Sequence, residues 1–423
     1  MKKIAFTILI TLFSTVLTAQ TIDECQQAAA QNYPLIAKYD LITKTTYLTV
    51  ENIKKGHLPQ ITFSAQATFQ SDVTAFPEQM QNIYRQAGID MEGLKKDQYK
   101  IALDIQQTIY DGGAIKANRQ IAEKQGEILA AQTETSLYQI RKRVSEMYFA
   151  LLLIDCKIRQ NNDLQKLLLS NENQLNSMLK NGTASESDFQ SVKAERLNAR
   201  QQLTDLELQQ KTLKRMLSSF CGIEVAEVEI PDFDTAAPQS SVRPELKTID
   251  ANIQLTELKY KALDAALKPK FSVFAQGYYG YPGLNMFEDM MSRQFSLNGI
   301  IGARLSWNFS AFYTRKNDRA KLQIESQTAQ NSREVFLFDN GLEQLKINDN
   351  IIRYRTLLDS DDEIIALREN VRKAAESKLS HGIIDVNALV KEINAENAAR
   401  LMQQIHKIEM LKEIYDLKFS EGK

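Results

Sequence analysis

The sequence predicts an α+β membrane protein made of two internal repeats. Each repeat supplies two membrane-spanning β-strands and a set of long helices. Three observations carry this reading. The second half of the chain repeats the first piece by piece, four segments alternate apolar and polar residues with period two, and two very long stretches lack any proline.

The repeat is visible in fixed offsets. The stretch LKNGTASESDFQSVKAERLNA (179–199) has an echo in LSHGIIDVNALVKEINAENAA (379–399), which puts Gly182 and Gly382 200 positions apart (382 − 182). NYPLIAKYD around Pro34 matches VRPELKTID around Pro244, and GHLPQITFSAQ around Pro59 matches ALKPKFSVFAQ around Pro269, each at an offset of 210 (244 − 34 and 269 − 59). The difference of 10 (210 − 200) falls in residues 71–97, which are longer than their counterpart, 282–294. The repeats therefore read as residues 21–222 and 244–423. The acidic, proline-containing and aperiodic stretch between them, 223–243, reads as a linker.

The elements follow in order. MKKIAFTILITLFSTVLTAQ (1–20) has Lys2 and Lys3 before an apolar run and a small residue, Ala19, near its end, the pattern of a secretory signal peptide. Thr21 with Glu24 forms a T-x-x-E capping box for a short helix ending near Asn32. A helix from Pro34 to about Lys55 follows, with its counterpart from Pro244 to about Leu267; proline is tolerated in a first turn. Then come the alternating segments. Ile61, Phe63, Ala65, Ala67 and Phe69 share one face, as do Tyr99, Ile101, Leu103, Ile105 and Ile109. In the second repeat Phe271, Val273, Ala275 and Tyr279 share a face, and so do Phe295, Leu297, Ile301, Ala303, Leu305, Trp307 and Phe309.

YDGG (110–113) and WNFS (307–310) open the long helices, from about Ala114 to Lys180 and from about Phe312 to Leu379. Each spans roughly 100 Å at 1.5 Å per residue. Turns at Asn181–Ser185 and His381–Asp385 lead to return helices from about Ser185 to Phe220 and from about Asp385 to Phe419. Gly182 and Gly382 permit the turns, and Ser185 and Asp385 are good N-caps. The two shorter helices of each repeat together nearly match its long one, so they fit stacked end to end along it.

Alternating runs of this length suffice for tilted membrane strands, which need roughly 9 to 11 residues. Tyr110, Tyr278, Tyr279, Tyr281, Trp307 and Phe309 gather near strand ends, where interfacial aromatic girdles sit. An antiparallel sheet on a soluble core is the other reading, but both sheet faces need partners and no amphipathic covering helix is evident nearby. Lipid tolerates no open sheet edge, and transmembrane barrels need about eight strands. One chain offers four, so closure requires two to four copies.

Composition excludes several classes. Gly and Pro are scarce, 16 and 8 in 423 residues, which favours long uninterrupted elements. Net charge is −1, and −3 without Lys2 and Lys3 (−1 − 2), too weak to imply nucleic acid. Three cysteines cannot make a disulfide framework. Three free thiols are the expectation; if one pair forms, Cys25 with Cys221 is favoured. Cys25 follows Thr-Ile-Asp-Glu, which does not suit a lipid anchor. His57, His381 and His406 are isolated, DGGA lacks the rest of a phosphate loop, and no catalytic, cofactor or metal site is expected.

The doubled plan, NYPLI and RPEL, YDGG before a long helix, and the NG and HG turns together resemble the TolC-type outer-membrane efflux proteins over nearly the whole mature chain. The resemblance implies a homotrimer in the outer membrane of a Gram-negative bacterium. Its twelve-stranded barrel would meet outer-membrane lipid, and its helices would form a periplasmic α-barrel. It implies a duct that serves an inner-membrane pump through a periplasmic adaptor protein. It also implies aspartates narrowing the periplasmic mouth. Asp188 falls on that place in the first repeat; in the second the matching positions read Ala388 and Lys391, with Asp385 one turn away from Ala388. The turn residues Gly182, Thr183, Ala184, Gly382, Ile383 and Ile384 are the candidate adaptor-docking tips, with Ile383 and Ile384 an exposed apolar pair. The other class of reading, a periplasmic adaptor or a coiled-coil stalk, would show one hairpin flanked by β-domains, or sustained heptads without paired strands.

Overall fold

Thr21 caps the first helix as read: its hydroxyl accepts from the Glu24 N–H while the Glu24 carboxylate accepts from the Thr21 N–H, starting α1 (Ile22–Asn32). The structure is a computed structural model describing residues 19–91, 93–231 and 243–422. Residues 1–18 of the stretch read as a signal peptide and residues 232–242 of the stretch read as a linker lie outside the described residues.

After a 3₁₀ turn at Pro34–Ile36 come α2 (Ala37–Lys54), a second 3₁₀ turn at Lys55–His57, β1 (Gln60–Phe69), α3 (Glu78–Gln86) and β2 (Asp97–Tyr110). Next are α4 (Ala114–Lys180), α5 (Glu186–Cys221), α6 (Pro244–Ala266), β3 (Lys270–Tyr281), α7 (Met286–Ser292), β4 (Ser296–Ser306), α8 (Ala311–Ser380) and α9 (Val386–Ser420). The chain is thus mostly helical with one small sheet. The order matches the sequence reading, with three differences. Helices α3 and α7 occupy segments to which the sequence reading assigned no element. The fourth strand stops at Ser306, leaving Phe295, Trp307 and Phe309 outside it. Part of the linker is built into structure, because Gln20 bridges Val228 in parallel and Val225 is buried.

The backbone separates into two compact units. One holds residues up to Tyr39, Ala131–Lys247 and Arg333 onward; the other holds Asp40–Ala130 and Thr248–Ser332. The first unit is helical, with two buried clusters. In one, Val144, Tyr148, Leu151 and Leu152 of α4 meet Ile22, Cys25 and Ala29 of α1, Leu217 of α5, and Ile408 and Leu411 of α9. Tyr148 is fully buried, and its hydroxyl contacts the carbonyls of Gln20 at 2.8 Å and Glu229 at 2.6 Å, fastening the chain start and the linker to α4. In the other cluster, Leu168 and Leu175 of α4, Val192 and Ala199 of α5, Leu379 of α8, and Val386, Leu389 and Ile393 of α9 pack together. Each fully buried aliphatic side chain stabilises by about 1.5–3 kcal/mol.

Two buried ion pairs cross the helix pairs of this unit. Glu172 on α4 meets Arg196 on α5, and Arg372 on α8 meets Glu396 on α9 at 2.5 Å. The positions differ by 200 (372 − 172 and 396 − 196), and the signs are exchanged. Arg243, just before α6, is 8% exposed. It donates to Glu245 at 2.8 and 3.0 Å and to the Phe419 carbonyl at 3.2 Å, below the rings of Tyr138, Phe336 and Phe419.

The second unit holds the sheet, in the order β1-β2-β3-β4 and antiparallel throughout. The turn YDGG that closes β2 has a local cause. Asp111 accepts from the N–H groups of Gly113 at 2.8 Å and Ile115 at 2.5 Å, capping α4. Burial pushes the Asp111 carboxyl up, but these donors outweigh it and hold it below its ordinary value. Gly112 has φ +76°, and a Cβ there would lie 2.6 Å from the Ala265 carbonyl oxygen.

Candidate functional site

The sheet register preserves the alternation across all four strands. Phe63 pairs with Leu103, Leu103 with Gly277, Ala275 with Ile301 and Phe271 with Leu305. Odd positions meet odd positions except past the bulge at the end of β2, where Tyr110 pairs with Phe271, so the apolar residues of the four strands form one continuous face. That face is bare: Phe63 is 71% exposed, Leu297 82%, Ile301 87% and Leu305 70%. A patch of this size on a water-facing surface would be strongly unfavourable at roughly 25 cal/mol per Å².

The even face is polar and internally bonded. Gln276 donates to Asp104 at 2.5 Å and accepts from Lys100 at 3.0 Å, Lys100 lies 4.2 Å from the Tyr278 ring centre, and Arg304 lies 5.0 Å from that of Phe274. Among the described residues, neither the outer edge of β1 nor that of β4 has a strand partner.

Aromatic groups mark both ends of the strands. At the end formed by Gln60, Tyr110, Lys270 and Ser306 lie Tyr110, Trp307 and Phe309. The Trp307 and Phe309 ring centres are 4.7 Å apart, and the Trp307 indole N–H donates to the Leu267 carbonyl at 2.9 Å. At the opposite end Tyr279 stacks on Phe295 at 5.8 Å, and Tyr99 lies 6.2 Å from the same ring. The six expected aromatics thus divide between the ends, Tyr110, Trp307 and Phe309 at one and Tyr278, Tyr279 and Tyr281 at the other, where Tyr278 and Tyr281 are buried and only Tyr279 is exposed. Phe295 and Tyr99 are the members that sequence reasoning did not single out as girdle residues, although both had been placed on the apolar face. No helix among the described residues is long and apolar enough to cross a membrane.

The turns between long and return helices lie in the other unit. Gly182 and Gly382 have φ +68° and +69°. Gly182 N–H donates to the Leu179 carbonyl and Thr183 N–H to that of Met178; Gly382 N–H donates to Leu379 and Ile383 N–H to Lys378. This is the same Schellman turn twice, satisfying carbonyls that a helix end would otherwise leave open.

The return helices are then capped by the acids singled out in the sequence. Ser185 and Asp188 make a reciprocal capping box, with Asp188 accepting from the Ser185 N–H at 3.1 Å and hydroxyl at 2.7 Å. Asp385 accepts from the Ala388 N–H at 2.8 Å. The two turns differ in their apolar residues. Ile383 is 70% exposed. Ile384 and Ala184 instead pack against the buried cluster of Leu389 and Leu379. The expected exposed pair at 383–384 is therefore a single exposed isoleucine, because the N-cap geometry turns residue 384 toward the helix interface.

His406, isolated in sequence, bonds Asp361 at 2.8 Å across α8 and α9. Its partner is 45 positions away (406 − 361), so no local spacing signals the contact. Among the described residues, no three His, Cys, Asp or Glu side chains come together as a metal site.

Residues 26–222 match the model of the outer membrane efflux protein family. That match spans 197 residues (222 − 26 + 1), a little under half of the 423-residue chain.

Solved structures share the fold. The outer-membrane channel OprN superposes with a TM-score of 0.70 at 12% identity, over 95% of this chain and 89% of that one. The outer membrane protein VceC of Vibrio cholerae gives 0.68 at 13%, over 95% and 96%. The MtrE outer membrane channel of Neisseria gonorrhoeae, in its open state, gives 0.63 at 10%, over 95% and 88%. No curated protein sequence matches the chain.

Proposed function

We propose that this chain is an outer membrane efflux protein, a channel and not an enzyme, set in the outer membrane with a large periplasmic helical part, and that it is the exit duct of a tripartite efflux or secretion system. It is a homotrimer whose barrel closes only between chains, and it takes substrate from an inner-membrane pump through a periplasmic adaptor. The observation that carries this reading is a four-stranded sheet with one continuous bare apolar face and two unpaired edges. Lipid covers such a face, and only strands of other copies can satisfy such edges. Three chains give twelve strands, within the range of transmembrane barrels. The polar even face, with Lys100, Asp104 and Arg304, then lines the lumen.

The chain is read as two repeats, 21–222 and 244–423. The identical Schellman turns and the sign-exchanged ion pairs, each 200 positions apart, support that division. The turns at Gly182, Thr183 and Ala184 and at Gly382 and Ile383 form the rim that meets the adaptor, with Ile383 as its apolar contact. Asp188 and Asp385 place carboxylates at the mouth while capping their helices. Tyr110, Trp307 and Phe309 seat one membrane interface, and Tyr279 the other.

Native mass measurement of the detergent-extracted protein tests the assembly. A mass of three chains with heat-modifiable gel mobility is expected; a stable membrane-inserted monomer refutes the shared barrel.

A further inference from the structure

Cys25, Cys156 and Cys221 all lie in the buried cluster around Tyr148, and two of them meet. Cys25 sits on α1 and Cys221 ends α5, 0% and 2% exposed. The Cys221 sulfur lies 3.4 Å from the Cys25 carbonyl oxygen, and the two thiols are hydrogen-bonded to each other. The segments carrying them are fixed independently. Asn32 Nδ2 donates to the carbonyls of Ser219 at 3.3 Å and Phe220 at 3.2 Å, and the Tyr33 ring stacks on Phe220 at 5.9 Å. Cys156, on α4, has Arg159 as its side-chain partner instead of a thiol.

We propose that Cys25 and Cys221 are joined by a disulfide in the mature protein, leaving Cys156 as its one free thiol. The helical part faces an oxidising compartment, where adjacent thiols held in register do not stay reduced. The pair is 196 positions apart (221 − 25), so the fold and not chain proximity brings it together.

The chemistry follows from the contact. The hydrogen bond from the Cys25 thiol holds Cys25 above its ordinary value, with burial adding to the effect, and holds Cys221 below its own. Cys221 is therefore the sulfur that ionises first. Its thiolate attacks one sulfur of a dithiol–disulfide oxidant protein, forming a mixed disulfide and releasing the oxidant's other sulfur as a thiol. Cys25, on losing its proton, attacks the Cys221 sulfur and expels the oxidant's second sulfur. The two cysteines together lose two electrons and two protons, and the oxidant leaves as a dithiol carrying both. Since both sulfurs are sealed in the packed core, exchange precedes the closing of α1 over α5. The product ties the start of the mature chain to the end of the first return helix.

The test is a thiol count on protein purified from outer membranes, alkylated in denaturant without reductant. One alkylated cysteine, Cys156, is expected, with a Cys25–Cys221 linked peptide that separates on reduction. The Cys156→Ser variant should keep the linked peptide, and Cys25→Ser should leave Cys221 open to alkylation. Three alkylated cysteines in the wild type, or a link through Cys156, would overturn the proposal.

Discussion

The exchanged signs of the two buried ion pairs allow a direct test of what they contribute. In the first helix pair Glu172 and Arg196 expose 11% and 23% of their side chains, and in the second Arg372 and Glu396 expose 12% and 8%. The second helix pair thus already carries the reverse polarity at equivalent positions. If each bridge only needs opposite charges, the double variant Glu172→Arg/Arg196→Glu should unfold within about 1 kcal/mol of wild type. Either single variant should lose more. Removing one partner of a buried pair costs about 3–5 kcal/mol, because a charge is left buried without compensation. Arg196 is about one-quarter exposed, so Glu172→Ala should fall at the lower end or just below it, about 2–3 kcal/mol. Glu172→Arg adds like-charge repulsion and should exceed that. Replacing both residues by leucine should be neutral or stabilising, since desolvation of the two charges is then avoided. Urea unfolding of the detergent-solubilised protein measures all five variants. A double swap as unstable as its singles would refute the reasoning and assign the bridge to side-chain shape instead of charge.

Four further outcomes follow from the same geometry. Ile301 sits at the middle of β4 opposite Ala275, so Ile301→Arg should cost about 2–4 kcal/mol, whereas Leu305→Arg, one pair from the strand end beside Trp307, should cost about 0–1 kcal/mol; a lipid-soluble quencher reaching position 304 better than 305 would invert the assigned faces. No atom lies within 4 Å of a Cβ built on Gly182 or Gly382, so alanine at either should cost only its left-handed backbone, about 1–2 kcal/mol in thermal unfolding, and asparagine less. Burial pushes Glu245 up, but the bonds from Arg243 outweigh it and hold the carboxyl below 4.5; a depressed carboxylate contributes stability that is full above its unfolded value and lost as pH falls through its folded one, so the stability gap between wild type and Glu245→Gln should shrink below pH 4.5, and a pH-independent gap would refute the linkage. Ile383→Glu should abolish export at unchanged trimer yield, whereas Ile384→Glu should lower both together; normal export by Ile383→Glu would end the docking role.

What was legible in the sequence was whatever rests on local periodicity or capping. The strand faces followed from period two, which the register carries from Phe63 to Leu305 with one bulge, between Thr108 and Tyr110. The bounds of α4 followed from the glycines that flank it and from the absence of proline between them. The Thr21 box and the caps at Ser185 and Asp385 were visible because capping needs only three or four neighbouring residues. The misses share a non-local cause. Trp307 alternates in phase with β4 but leaves it, since its indole N–H is taken by Leu267, 40 positions earlier (307 − 267). Helices α3 and α7 are short, and α3 starts at Pro77 without a side-chain cap. The inward turn of Ile384 and the His406–Asp361 bond depend on the rotation of one helix against another. Spacing along the chain does not encode that rotation.

The proposed closure between copies has support that is independent of the sheet. On α8, Phe338, Leu342, Leu345 and Ile352 are 67%, 51%, 64% and 61% exposed. Their spacings of four, three and seven put them on one helix face, the seam pattern of a coiled coil. The same helix turns Ile347, Asp361, Ala375 and Leu379 inward, so its inner face is already occupied within the chain. A stripe of large apolar side chains running along a helix of this length is not left to water in a stable protein. In the proposed assembly a helix from another copy covers such a seam, as strands from another copy cover the edges of β1 and β4. Two features of different kind, an unpaired backbone edge and an uncovered apolar seam, thus need the same remedy, and a closed ring of identical chains supplies both without exposing a new surface at either end.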